Sequence, residues 1–166
     1  MPSIRTSTNG VGFFVHKRDA LRRRWDSFIA LEPADRLLFL KLWGQLAIVS
    51  LLLRLLVVKQ ARRLLARLIP ERPNHPVEPD QAMSYAQRVG SLTRKAGRHL
   101  PLDTSCLRQS LLIWWFLRRR GLEAELRIGV NNHEKFLAHA WVELAGRPVN
   151  DLPNIAEGFQ PFDRVP

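Results

Sequence analysis

Cysteine is nearly missing from this chain: Cys106 stands alone among 166 residues. A single thiol excludes an internal disulfide and a thiolate metal cluster, and it suits a reducing compartment. The polar, basic N-terminal stretch holds no short apolar segment followed by a small-residue cleavage site, so no secretory signal is read there. Long uninterrupted apolar runs are scarce as well. Residues 37–58 come nearest, but Lys41 and Arg54 leave only 12 clean positions between them, short of the ~20 that cross a bilayer. None of the 5 histidines pairs with another at metal-ligand spacing, so neither a metal nor any other cofactor is expected. Zinc-finger, helix-turn-helix and aromatic-rich binding patterns are also missing, which leaves nucleic acid as an unexpected partner.

Acidic residues are the minority. The net charge is +11, and residues 1–75 carry 14 Lys and Arg against 5 Asp and Glu, while residues 76–166 carry 12 against 10. A basic N-terminal half suits an anionic lipid surface or an acidic peptide, or is simply a solvated face. The expected setting is the cytoplasm, with a membrane contact open through the apolar segment 37–58. That segment is either buried on all sides or faces lipid.

What is present is enough for one domain: 46% of residues are hydrophobic, ample for a packed core. A loose tail and a short basic helix near Asp19–Ile29 are expected first. A longer helix should open at Glu32-Pro33-Ala34-Asp35 and run through Leu37–Val58, because proline suits a first helical position and acids complement the dipole. Arg62–Ile69 spaces Arg and Leu as an amphipathic helix does. Prolines 70, 73, 76 and 79 then mark a linker. The expected organisation is a helical, basic region over 1–70, a Pro-rich linker over 71–79 and a catalytic core over 80–166.

Within that core, Asp80–Arg98 reads as an amphipathic helix and Cys106–Arg120 as a second, stopped by Gly121. From Leu122 the period changes to two: residues 123–130, Ala138–Leu144 and Arg147–Asp151 read as three strands, with a turn at Gly146. The tail after Pro153 reads as irregular. Helix followed by antiparallel meander is an α+β fold.

The chemistry sits where these elements meet. Cys106 follows Thr104-Ser105 at a helix start, where unpaired backbone N–H groups favour a thiolate and can cradle an oxyanion. His139 lies on a strand face with Leu137, Trp141 and Glu143, an odd stripe for a core. Asp151 follows the next turn, and antiparallel pairing would carry it towards His139 to fix the imidazole. The neighbouring Asn150 offers an amide for the same task; Asp151 is the preferred partner. His133 falls in a polar loop, and His16, His75 and His99 in tail, linker and loop.

Cys106-Leu107-Arg108-Gln109-Ser110, Leu117-Arg118-Arg119-Arg120-Gly121, Ala124–Val130, Ala138–Glu143 and Asn150-Asp151 together resemble the lasso-peptide maturation proteases. These are transglutaminase-like leader peptidases of ribosomal peptide biosynthesis. The resemblance spans Leu100–Asp151, about a third of the chain. It implies a transglutaminase/papain-like core whose Cys106, His139 and Asp151 form the triad. It implies cleavage of a leader from a precursor peptide, followed by ring closure by a separate ATP-dependent cyclase. Residues 1–75 lack alternating strand patterns, so the chain resembles the split form, whose leader-binding module is a separate small protein. Two other readings stay open: another acyl transfer on the same scaffold, and a non-catalytic, membrane-associated helical adaptor.

Overall fold

The computed structural model describes residues 28–70, 78–100, 104–131 and 137–161. The chain divides after Leu37 into two units, Met1–Leu37 and Leu38–Pro166. In the described part of the first, Arg36 folds its guanidinium back onto the carbonyls of Leu31 (2.9 Å) and Ile29 (2.5 Å). The helix expected near Asp19–Ile29, the linker prolines 73 and 76, His16, His75 and His133 fall outside the described residues.

Helix α1, Pro33–Leu55, starts on its proline with Asp35 in the first turn and Arg54 in the last. It stops where Val57 turns extended (φ −70°, ψ 154°), and α2 follows over Val58–Ala66. The first helix therefore ends three residues before the expected Val58, and the amphipathic helix expected over Arg62–Ile69 begins earlier, at Val58, and ends at Ala66. On α1, Phe39, Leu42, Leu46 and Val49 are buried, whereas Leu40, Ile48, Leu51 and Leu55 are exposed. At 3.6 residues per turn these sets occupy opposite sides. It is long and apolar enough to cross a membrane, with 28% of its most apolar window buried.

Helix α3 (Pro79–His99) turns small residues inward, Ala82, Ala86, Gly90, Ala96 and Gly97 among them. His99 is its last residue, not a loop residue, with Nδ1 2.8 Å from the Lys95 carbonyl. Helix α4 (Cys106–Arg119) is buried along most of its length, at Leu111, Leu112, Ile113, Trp114, Trp115 and Leu117. It is the central rod of the core. Gly121, at φ 82°, ends it.

Strand β1 (Ala124–Asn131) pairs antiparallel with β2 (Leu137–Leu144), from Ala124 opposite Leu144 to Asn131 opposite Leu137. Ala145 (φ 51°) and Gly146 (φ 71°) make the next turn, the paired left-handed geometry of a two-residue hairpin. Strand β3 is only Arg147–Pro148. Asp151 consequently lies in a bend after the sheet, not inside the expected third strand. The tail is more regular than expected: α5 (Ile155–Gly158) leads to β4 (Gln160–Pro161), which pairs with β1 at Gly129 and Val130. The sheet order is β3-β2-β1-β4, and α4 packs across β1 and β2. The architecture is α+β.

Candidate active site

Cys106 is the first residue of α4 and is half-buried. Its turn is held from behind. Thr104 Oγ1 donates to the Gly97 carbonyl of α3 at 3.2 Å, and Gln109 Nε2 donates to the Thr104 carbonyl at 2.8 Å. Gly97 allows this approach: a Cβ there would lie 3.0 Å from Thr104 Oγ1 and 3.2 Å from Gln109 Nε2. The first N–H groups of α4 have no partner within the helix. They form a dipolar end beside the thiol.

His139 and Asp151 meet, with Nε2 2.5 Å from Oδ2. Their side chains are 25% and 20% exposed, shielded yet within reach of a substrate. The other carboxylate oxygen accepts the Leu152 N–H at 2.9 Å. The imidazole stacks on Trp141 (centroids 6.2 Å, planes 16° apart) and leans on Phe159 at 5.3 Å. Trp141 is 1% exposed, and its indole Nε1 donates to Glu143 at 2.8 Å. Glu143 in turn accepts from Arg127 at 3.0 Å. One face of β2 thus becomes a braced shelf under His139.

Asn150 has a different task. Its Oδ1 accepts the Val142 N–H at 2.8 Å, and its Nδ2 donates to Ser110 Oγ at 3.0 Å. Ser110 Oγ donates to the Ala140 carbonyl at 2.8 Å and is fully buried. Arg94 of α3 binds the Asn150 carbonyl at 2.9 Å, and a Cβ on Gly90 would sit 3.0 Å from the Val149 carbonyl. Ser110 is therefore clamped to the residues adjacent to His139 and Asp151. It lies four positions, one turn or ~6 Å of helix axis, beyond Cys106 on nearly the same face. The helix turn with the thiol and the histidine–aspartate pair share this anchor. Among the described residues no hydrogen bond joins Cys106 to His139; such contacts often tighten only with substrate bound.

A family model for the transglutaminase-like superfamily matches residues 47–163, well over half the chain. This chain belongs to the transglutaminase-like superfamily. Over 60 residues, 36% of its length, this transglutaminase-like chain is 38% identical to the microcin J25-processing protein McjB of Escherichia coli. That stretch is 28% of McjB, so the chain matches well under a third of that relative's length. No solved structure matches.

Two further side chains brace the site beyond those the sequence marks. Ser110 has a usable signal, a hydroxyl on the buried face one turn after the cysteine. Phe159 has none, because it reaches His139 only through the pairing of β4 with β1. Glu143, already marked as a same-face neighbour of Trp141, binds its indole.

Proposed function

We propose that this chain is a cysteine endopeptidase that removes the leader from a ribosomally made lasso-peptide precursor. The observation that carries the reading is the bonded His139–Asp151 pair, clamped through Ser110 to the helix that Cys106 begins. The superfamily match and the likeness to a microcin-processing protein support the same class of substrate.

The chemistry runs through an acyl-enzyme. Nε2 of His139 is committed to Asp151, so Nδ1 is the atom that takes the Cys106 proton. The thiolate attacks the scissile carbonyl, and first-turn N–H groups of α4 receive the developing negative charge. His139 returns the proton to the departing amine, freeing the core peptide's N-terminus. Water, deprotonated by His139, then cleaves the thioester and releases the leader as a carboxylate. Asp151 keeps the ring oriented and balances its positive charge. The freed amine is what a separate ATP-dependent cyclase would join to a core carboxyl. Replacing Cys106 by alanine tests this: a folded Cys106→Ala chain should leave the precursor intact, and normal trimming by it would defeat the assignment.

Leader peptides are flexible, and ordering one on a small contact area costs entropy. A separate small leader-binding protein would raise the local substrate concentration. A cleavage time course with and without that partner should show strong acceleration; equal rates would mean that this chain reads the leader unaided.

The exposed apolar face of α1 favours a second role, peripheral membrane contact. Leu40, Ile48, Leu51 and Leu55 project outward, with Lys41, Arg54 and Lys59 nearby. Fractions prepared at low and high salt distinguish the outcomes. Salt release fits a peripheral contact, alkali resistance a span, and a wholly soluble protein excludes both.

A further inference from the structure

Across the ladder from His139 stands Gly129, which has no side chain to steady the imidazole from β1. Much of the steadying therefore comes along its own strand. The next residues on the same face are Trp141 and then Glu143. The facing row on β1 sets Arg127 opposite Trp141 and Glu125 opposite Glu143. Two carboxylates directly opposite on a ladder repel each other. Arg127 bridges them, with Nη2 2.7 Å from Glu125 and Nε 3.0 Å from Glu143. The other Glu143 oxygen accepts the Trp141 indole N–H at 2.8 Å.

We propose that Arg127 and Glu143 are positioning residues for the reaction at His139, acting through the plane of the Trp141 indole. The proposal rests on the reading of His139 as the group that takes the Cys106 proton. Glu143 lies four residues, ~13 Å of strand, beyond His139, so its action is indirect. Trp141 is 1% exposed, and a buried indole N–H left without an acceptor is costly. Glu143 therefore selects one rotation of the indole. In that rotation the ring lies 16° from the imidazole plane, with centroids 6.2 Å apart. Phe159 closes over both rings, 5.3 Å from the imidazole and 6.3 Å from the indole. An imidazole held parallel to a fixed ring resists tipping, and tipping would carry Nε2 off Asp151 and Nδ1 away from the thiol. The Glu143 side chain is 12% exposed and that of Glu125 63%. The inner half of the bridge is thus shielded from solvent, and the outer half serves to hold Arg127 in place.

The test is steady-state cleavage of precursor by the full chain, with kcat and KM read separately and a thermal melt of each variant. Glu143→Leu should lower kcat about tenfold at unchanged KM. Glu143→Gln, whose amide oxygen still accepts the indole N–H, should recover most of that loss. Arg127→Leu should lower kcat by about three- to fivefold, because the two acids then face each other unbridged. Adding Glu125→Gln to it removes one of those charges and should restore most of the rate. The Arg127 side chain is 39% exposed, so its replacement leaves the core closed. A lower melting temperature with kcat of the folded enzyme unchanged means a role in stability alone and overturns the proposal. So does a loss confined to KM, or Glu143→Gln as slow as Glu143→Leu. A second readout needs no substrate. Nuclear Overhauser contacts between the Trp141 indole and the His139 ring should be present in the native chain and fade in Glu143→Leu. Contacts unchanged in that variant overturn the proposal whatever the cleavage rates. If they fade while no chain, native included, trims precursor, the positioning stands and the peptidase reading falls.

Discussion

The surroundings of His139 and the outer face of α1 treat their side chains in opposite ways. Around His139 almost every polar group is spoken for: Asp151 on the imidazole, Glu143 on the Trp141 indole, Asn150 on Ser110 and on the Val142 N–H. Along α1, Leu40, Ile48, Leu51 and Leu55 are more than half exposed, and residues 38–70 contain no acid at all. A bonded network fixes atoms to within fractions of an ångström, as proton transfer demands. An aliphatic surface with scattered cations fixes nothing by itself, but it gains free energy from whatever covers it. The difference teaches that the sheet side holds its polar groups in a fixed network, whereas the outer face of α1 leaves an aliphatic surface exposed.

Changes at the network should then act on rate, and those outside it on stability or binding. The largest effect is expected from His139→Ala. Cleavage should fall by ~10⁴-fold or more, with no further loss when Cys106→Ala is added, because the two act as a unit. Single-turnover kinetics on the precursor measures this, and additive losses would break the coupling.

Next comes the comparison of neighbours. Asp151→Asn should lower kcat by ~10²- to 10⁴-fold while the melting temperature holds. Asn150→Ala should do the reverse. It strands the Val142 N–H and loosens Ser110, for about 1–3 kcal/mol of stability, with a smaller loss of rate in the folded fraction. Paired thermal melts and rate measurements decide, and a dominant rate loss at Asn150 would exchange the two roles.

Phe159→Ala removes the ring against which His139 leans and should cost about 10- to 100-fold in kcat, while Phe159→Leu restores much of it. An unchanged rate would limit the shelf to Trp141. The smallest effect is expected at the hairpin. Ala145 holds φ 51°, a left-handed conformation that costs an L-residue about 1–2 kcal/mol. Ala145→Gly should therefore raise the melting temperature by a few degrees and leave cleavage alone. A change in rate would mean that the turn communicates with the site.

Much of this arrangement is legible in the residues, for reasons that also explain the misses. Cys106–Arg120 and residues 123–130 declare themselves because helical and strand periods differ and Gly121 separates them. The break at Leu56–Val57 is silent, since Leu51–Val58 holds only aliphatic residues and one arginine, with neither glycine nor proline. The third strand is shorter than its pattern suggests, Arg147–Pro148 alone, although Val149, Asn150 and Asp151 continue an acceptable alternation. In the fold Asn150 leaves the ladder and uses its side chain in place of backbone, accepting from the Val142 N–H. The next residue, Asp151, lies in the bend that follows and meets His139 there. Phe159 and β4 depend on pairing across some thirty residues with only two positions in register, and no local pattern encodes such a contact.

The central claim is that Cys106 carries the leader as a thioester which His139 and Asp151 help to form and resolve. Rapid acid quench of enzyme with precursor, followed by intact-mass and peptide mapping, observes it directly. The account predicts a transient adduct with the mass of the leader less one water, located on Cys106 and absent from Cys106→Ala. Precursor cleavage that proceeds at the same rate in Cys106→Ala, with no adduct at any time point, would contradict it.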